Sequence, residues 1–241
     1  MKHALLASLL LILLGACAPA APGYPRVTAL DLSGARTFDP AEGERGVIRY
    51  VLSAPALVRV RIVDGDTPGI LLRTLVDWEP RPAGACSEVW DGRDAHGDPV
   101  DLRRVSVLVR AEPQREALSA GERQALAAER YPEEKHFLHP AELCRDLTVH
   151  LEQPVGGAVV AGEMAVQAAL SGNPGMPDGE YHVVVYLDGR DAWDGRVQEP
   201  RFSRAFDTSN VPNGEHLLAV TFNDLHDHAG SDWAWITVQN P

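Results

Sequence analysis

The densest run of side chains able to ligate a metal or move a proton is Asn223-Asp224-Leu225-His226-Asp227-His228. Its carboxylates and imidazoles are donors that a divalent ion accepts. In an extended segment His226 and His228 point the same way. A polar turn between two strands accounts for the same residues, and no distant further ligand presents itself. No metal site is therefore assigned; Asp224, His226, Asp227 and His228 are the candidates for one. A second group comprises His136, His139, Cys144 and His150. Three-residue spacing puts the first two on one helical face, but Pro140 biases His139 away from helix, and exposed linker histidines beside a disulfide cysteine are the simpler reading. Asp64-Gly65-Asp66 and Asp188-Gly189-Arg190-Asp191 lack the ligand series and closing Glu of a calcium loop, and read as hairpin turns. There is no Gly-x-Ser-x-Gly element, no Gly-rich phosphate loop and no haem-attachment motif. The expectation is a chain with no catalytic residues and no cofactor. Trp78, Trp193, Trp233 and Trp235 offer stacking surfaces of the kind sugars use. Trp233 and Trp235 share a face of a regular strand, where core packing explains them equally well.

The remaining chemistry lies in the cysteines. Lys2 and His3 precede an apolar stretch from Ala4 to Leu14, followed by Leu14-Gly15-Ala16-Cys17. The stretch is too short for a permanent bilayer span and has the order of a secretion signal, residues 1–16. The four residues ending at Cys17 resemble the lipobox of bacterial lipoproteins. That resemblance implies cleavage before Cys17 and acylation of Cys17, which anchors the chain to a lipid bilayer. Ala18 is not the Asp that resembles an inner-membrane retention signal, so the expected destination is the outer membrane. Cys86 and Cys144 then remain in an oxidising compartment. A disulfide between them is one reading and two separate buried thiols the other. Asp and Glu number 34 against 22 Lys and Arg, a formal charge of −12. Scattered acidic charge argues against nucleic acid and against a polybasic membrane patch.

The elements that would position these groups are strands. Residues 17–26 are rich in Ala, Pro and Gly and read as a tether. Val47–Leu52, Leu57–Val63, Ile70–Trp78, Ala85–Trp90 and Val105–Ala111 then have strand character, with turn residues between them. In the second of these, Val58, Val60 and Ile62 alternate with Arg59 and Arg61. Alternation places the apolar set on a core and the arginines in water. Phe38-x-Pro40, Ile48-x-Tyr50-x-Leu52, Arg73-Thr74-Leu75 and above all Trp90-Asp91-Gly92-Arg93-Asp94 with Gly97 resemble the immunoglobulin-like domain of flagellar hook-capping proteins. Physically, Trp90 ends a strand in the core while Asp91-Gly92 and Gly97 turn the chain.

Residues 113–145 break this pattern. Ser119-Ala120-Gly121-Glu122 has capping-box spacing and Pro132 stops the run from Glu122 to Arg130, so a short helix is expected in a connector. Strand patterning resumes over Leu147–Leu151, Ala158–Leu170, Tyr181–Leu187, Phe202–Phe206, Leu217–Phe222 and Trp233–Val238. Val185 to Gly189, Phe206 to Ser209 and Pro212 to His216 resemble the bacterial Ig-like domains of cell-surface proteins, and Asn213-Gly214 reads as a hairpin turn. The expected architecture is all-β: two Ig-like β-sandwich domains, 27–112 and 146–241, joined by a partly helical connector. The expected function is a non-enzymatic cell-envelope lipoprotein acting as a structural or protein-interaction module with an envelope protein partner. A carbohydrate-binding or adhesion module with a glycan ligand is the alternative, and a metal-binding protein or metal-dependent enzyme a further one.

Overall fold

The computed structural model describes residues 25–114, 146–171, 180–224 and 228–241. The expected signal peptide, Cys17, the connector helix, Cys144, His226 and Asp227 lie outside these residues. Regular structure among the described residues is β throughout, apart from one 3-10 turn at Ser33–Ala35. None of their helices is long and apolar enough to cross a membrane.

The N-terminal half contains β1 (Val27–Asp31), β2 (Gly46–Leu52), β3 (Ala56–Asp64), β4 (Leu71–Arg81), β5 (Gly84–Trp90) and β6 (Val105–Pro113). They form two three-stranded antiparallel sheets, β1-β2-β5 and β4-β3-β6. Ile48, Tyr50 and Leu52 of β2 alternate inward and meet Val58, Val60 and Ile62 of β3 in one core, with Trp90 beneath them. The Trp90 ring stands edge-on to Phe38 and its Nε1 donates to Arg93 O at 2.9 Å. Gly92 has φ +70, and a Cβ there would strike Pro40, so this turn requires glycine.

The C-terminal half contains β7 (Thr148–Gln153), β8 (Val159–Val160), β9 (Glu163–Ser171), β10 (Tyr181–Leu187), β11 (Arg190–Val197), β12 (Arg201–Asp207), β13 (Gly214–Asn223) and β14 (Ala229–Val238). Its sheets run β12-β9-β7 and β11-β10-β13-β14-β8, the last pair parallel. Val183 and Val185, then Leu218, Val220 and Phe222, point into a second core against Val149, Val166 and Phe202. Each such side chain contributes roughly 1.5–3 kcal/mol through burial. Both halves share one plan, since β1-β2-β5 corresponds to β7-β9-β12 and β4-β3-β6 to β11-β10-β13. Hairpins within one sheet with crossings to the other are the Ig-like sandwich topology.

Three expectations need correction. Arg59 and Arg61 are not in water: they are 0% and 7% exposed. The face of β3 that carries them is covered by the chain at Asp146 and by Trp78, and carboxylates compensate their charge. Asn213-Gly214 is not a hairpin turn. It joins β12 in one sheet to β13 in the other, and Asn213 instead exchanges two hydrogen bonds with Asn240. The segment Ala158–Leu170 is not one strand, because Gly162, at φ +63, divides β8 from β9. By contrast Asp188-Gly189, at φ +51 and +75, does turn β10 into β11.

Candidate functional site

The groups that converge across the structure lie where the two halves meet. On β3, Arg59 Nε donates to Asp77 Oδ1 on β4 at 2.7 Å, and its guanidinium lies 4.5 Å over the Trp78 ring. Its Nη1 is 3.4 Å from Asp146 Oδ1. Arg61 Nε donates to Asp146 Oδ2 at 2.9 Å and Arg61 Nη2 to Oδ1. The Asp146 carboxylate also accepts the Thr74 hydroxyl and, from the far half, Ala229 N at 3.1 Å. Its own N–H donates to Asp77 Oδ2 at 2.6 Å. Burial pushes the Asp146 carboxyl up, but Arg61, Arg59 and Thr74 together outweigh it and hold the group below the ordinary 3.8. Two buried arginines thus clasp the residue from which the C-terminal half begins.

Further contacts extend this joint. Ile70 and Leu72 pack on Val184, Tyr186, Ala219 and Trp233, the outer face of the five-stranded sheet. Thr221 Oγ1 donates to Gly69 O at 3.1 Å, Leu71 N to Ser231 Oγ at 2.9 Å, and Thr67 Oγ1 to Gly189 O at 3.2 Å. A Cβ at Gly69 would meet the Tyr186 hydroxyl, and a Cβ at Gly230 would lie 2.2 Å from Leu147 O. His96 Nε2 is 2.8 Å from Asp232 Oδ1, and its ring lies 4.5 Å from that of Trp233. Asp232 also accepts Leu151 N at 2.6 Å, so one carboxylate ties β7, β14 and the turn at His96 together.

Beside the joint opens a cleft of about 440 Å³ whose walls include Leu217, Trp233 and Trp235 from the C-terminal half and Asp64, Asp94 and Asp101 from the N-terminal half. Asp188, also in its wall, faces His216: Nδ1 is 2.6 Å from Asp188 Oδ2 and Nε2 is 2.8 Å from Pro212 O. Both ring nitrogens face acceptors, which favours the protonated ring, and the hydrogen bond to the Asp188 carboxylate raises His216 above its ordinary 6.5.

The candidate residues fare differently. Asp224 and His228 do not stand open for a metal. Their side chains are buried against each other, His228 Nδ1 on Asp224 Oδ2, and Asp224 Oδ1 accepts His228 N at 2.9 Å. His226 and Asp227, the other two candidates, lie outside the described residues. His150 bonds Ser171 Oγ at 2.9 Å, while His136, His139 and Cys144 lie outside the described residues. Cys86 carries a free thiol, raised by burial, with Sγ 3.6 Å from Pro82 O. Among the tryptophans, Trp78 is buried, and Trp193 lies 4.9 Å from Phe202 with Arg204 on its ring. Trp233 and Trp235 share the face of β14 opposite the core residues Ala234, Ile236 and Val238, and Trp235 is 58% exposed.

The sequence reading did not single out Asp94, His96 and Asp98, whose ligand atoms lie within 4.8 Å of one another. Asp94 Oδ1, however, already accepts His96 N and Asp98 N, both at 2.9 Å, and His96 Nε2 faces Asp232. The arrangement is a capped turn. Asp146 was also missed, and only the adjacency of Arg59 and Arg61 to an otherwise apolar strand hints at a buried carboxylate.

No family model and no curated protein matches the chain. Solved structures similar to it include the fibronectin(III)-like modules of CbhA from Clostridium thermocellum, at 15% identity and TM-score 0.33, with 82% of this chain and 87% of that one covered. An endo-β-1,4-mannanase from Thermotoga petrophila is 15% identical with TM-score 0.32; the match covers 44% of this chain and only 22% of the enzyme. The native form of E. coli alpha-2-macroglobulin is 13% identical at TM-score 0.30, over 90% of this chain and 16% of that one.

Proposed function

We propose that the chain is a non-catalytic spacer and interaction module of a bacterial cell envelope, in which two Ig-like domains, 27–112 and 146–241, act as one rigid body. The observation that carries this reading is the clasp of Arg59 and Arg61 on Asp146. Two tethered domains that move independently have no use for buried charge at their junction, because desolvation of an ion pair costs several kcal/mol per ion unless its geometry and hydrogen bonds are nearly complete. Here Asp146 is fully engaged, and apolar packing at Ile70 and Tyr186 surrounds the same junction. A fixed angle between domains sets the direction in which a binding surface is presented.

The membrane end of the proposal is the acylated Cys17, with 18–26 as tether and the outer membrane as destination. Support comes from the residue order Leu14-Gly15-Ala16-Cys17 alone. Cell fractionation tests it: Cys17→Ala is expected to release the protein from membranes or leave it unprocessed, and a variant still firmly membrane-bound would contradict it. Crosslinking in intact envelopes followed by capture of the chain tests the interaction role. A specific protein recovered in several growth conditions is the expected result, and none recovered would count against the role.

A further inference from the structure

The Asp188-Gly189 turn carries one of the contacts between the halves. Thr67 Oγ1 donates to Gly189 O at 3.2 Å, and a Cβ at Gly189 would lie 2.4 Å from that hydroxyl, so the turn sits tight against Thr67. Asp188 holds the turn at φ +51, an angle uncommon for a residue other than glycine. Two groups keep it there: Leu217 N donates to Asp188 Oδ1 at 2.9 Å, and His216 Nδ1 lies 2.6 Å from Oδ2. His216 is only 8% exposed, and its Nε2 lies 2.8 Å from Pro212 O. A ring with both nitrogens on acceptors donates twice only when it is protonated; neutral, it leaves one acceptor facing a lone pair. The charges around this corner favour the cation too. Across the cleft stand Asp64, Asp66, Asp94, Asp101 and Arg104, with Arg104 bound to Asp66 at 2.7 Å and Asp101 to Arg103 at 2.8 Å. On the near side Glu215 precedes the ring in β13 and Arg190 follows the turn.

We propose that His216 is a pH-sensitive latch on the joint: while its ring is protonated it holds the Asp188-Gly189 turn against Thr67, and when the proton leaves, this corner of the joint opens. The inference rests on the reading of the two halves as one body and adds a control to it. The hydrogen bond to Asp188 raises His216 above its ordinary 6.5, so the latch is closed below 6.5 and is released as pH rises through the folded value. Release has two parts. The neutral ring gives up either its charge-assisted bond to Asp188 or its bond to Pro212 O. Asp188, without its cation, then faces the like charges of Asp64, Asp66, Asp94 and Asp101 across the cleft. The clasp on Asp146 does not involve the imidazole, so the halves stay joined at that end.

The test is nuclear magnetic resonance of the isotope-labelled full chain, carrying Cys17→Ser, between about pH 5.5 and about pH 9. Relaxation dispersion should show Thr67 and Gly189 exchanging between conformations at the upper pH and not at the lower, with Ala229, at the clasp, quiet throughout. His216→Gln should abolish the pH dependence of that exchange. By linkage, a joint opened at this corner by other means must bind the proton of His216 less tightly. Thr67→Val, which removes the hydroxyl, is therefore expected to lower the proton affinity of the imidazole about fivefold, read from the titration of its ring signals. His182→Gln, which changes an exposed histidine paired with Asp194 at the opposite end of β10 from the turn, should leave both readouts unchanged. Exchange at Thr67 and Gly189 that ignores pH, or that keeps its pH dependence in His216→Gln, would overturn the proposal. So would an imidazole whose proton affinity ignores Thr67→Val. Exchange at Ala229 at every pH would overturn the one-body reading itself, and the latch with it.

Discussion

Asp146→Asn takes one negative charge from a site where Arg59 and Arg61 converge, and leaves the shape of the side chain unchanged. The carboxylate accepts from Arg61 Nε, Arg61 Nη2, Thr74 Oγ1 and Ala229 N, and faces Arg59 Nη1 at 3.4 Å. An asparagine has one acceptor oxygen in place of two, and its amide turns a donor toward one of the arginines. Removing one partner of a buried ion pair costs about 3–5 kcal/mol. Arg59 keeps Asp77 at 2.7 Å, which places the expected loss near the lower end, about 3 kcal/mol. The assay is urea unfolding followed by tryptophan fluorescence for the wild type, Asp146→Asn, Arg61→Met and the double variant. The cycle should return a coupling of about 1.5 kcal/mol or more between residues 61 and 146. Because the clasp joins the halves, the single variant should also split one transition into two. A loss below about 1 kcal/mol, with no coupling and no split, would refute the reasoning.

His216 sets a pH dependence of opposite sense to that of Asp146. Its folded pKa is raised, so its link to Asp188 contributes stability fully below its ordinary 6.5 and loses it as pH rises through the folded value. His216→Gln should therefore lower the melting temperature more at about pH 5.5 than at about pH 9, which differential scanning fluorimetry reads directly. The Asp146 contribution is present above 3.8 and is lost only as pH falls through its depressed value, so an acid titration of the wild type should open the joint at more acidic pH than an ordinary carboxylate titrates. Gly230→Ala would bring a Cβ against Leu147 O and should cost about 2 kcal/mol or more in chemical denaturation. Cys86, a free thiol in this structure rather than the disulfide partner of Cys144, should be alkylated in folded protein analysed by mass spectrometry without reductant, and a Cys86–Cys144 bond found there would contradict the structure.

Strand patterning was legible where one face is apolar, as along Ile48, Tyr50 and Leu52, because alternation and burial share the same period. The Trp90–Gly97 turn was legible too, since Gly92 and Gly97 occupy backbone angles that favour glycine. β11 was not, because Trp193 is its one aromatic anchor and most of its other residues are exposed. The error at Arg59 and Arg61 has a general physical source. Alternation tells which residues share a face but not what covers that face, and the cover here comes from Asp146, more than eighty residues away in the chain. The same limit applies to the tryptophans of β14: period alone placed Trp233 and Trp235 together, and only the packing of Ala234 and Ile236 assigns the other face to the core. Asp224 and His228 looked like ligands because donor chemistry is visible in a sequence, whereas mutual burial is not.

Small-angle X-ray scattering of the Cys17→Ser chain, compared with Asp146→Asn, tests most directly that the halves form one rigid body. The wild-type profile should be described by a single arrangement with the joint closed, and the variant should require an ensemble of hinged conformers. A wild-type profile that itself demands such an ensemble, indistinguishable from that of the variant, would contradict the account.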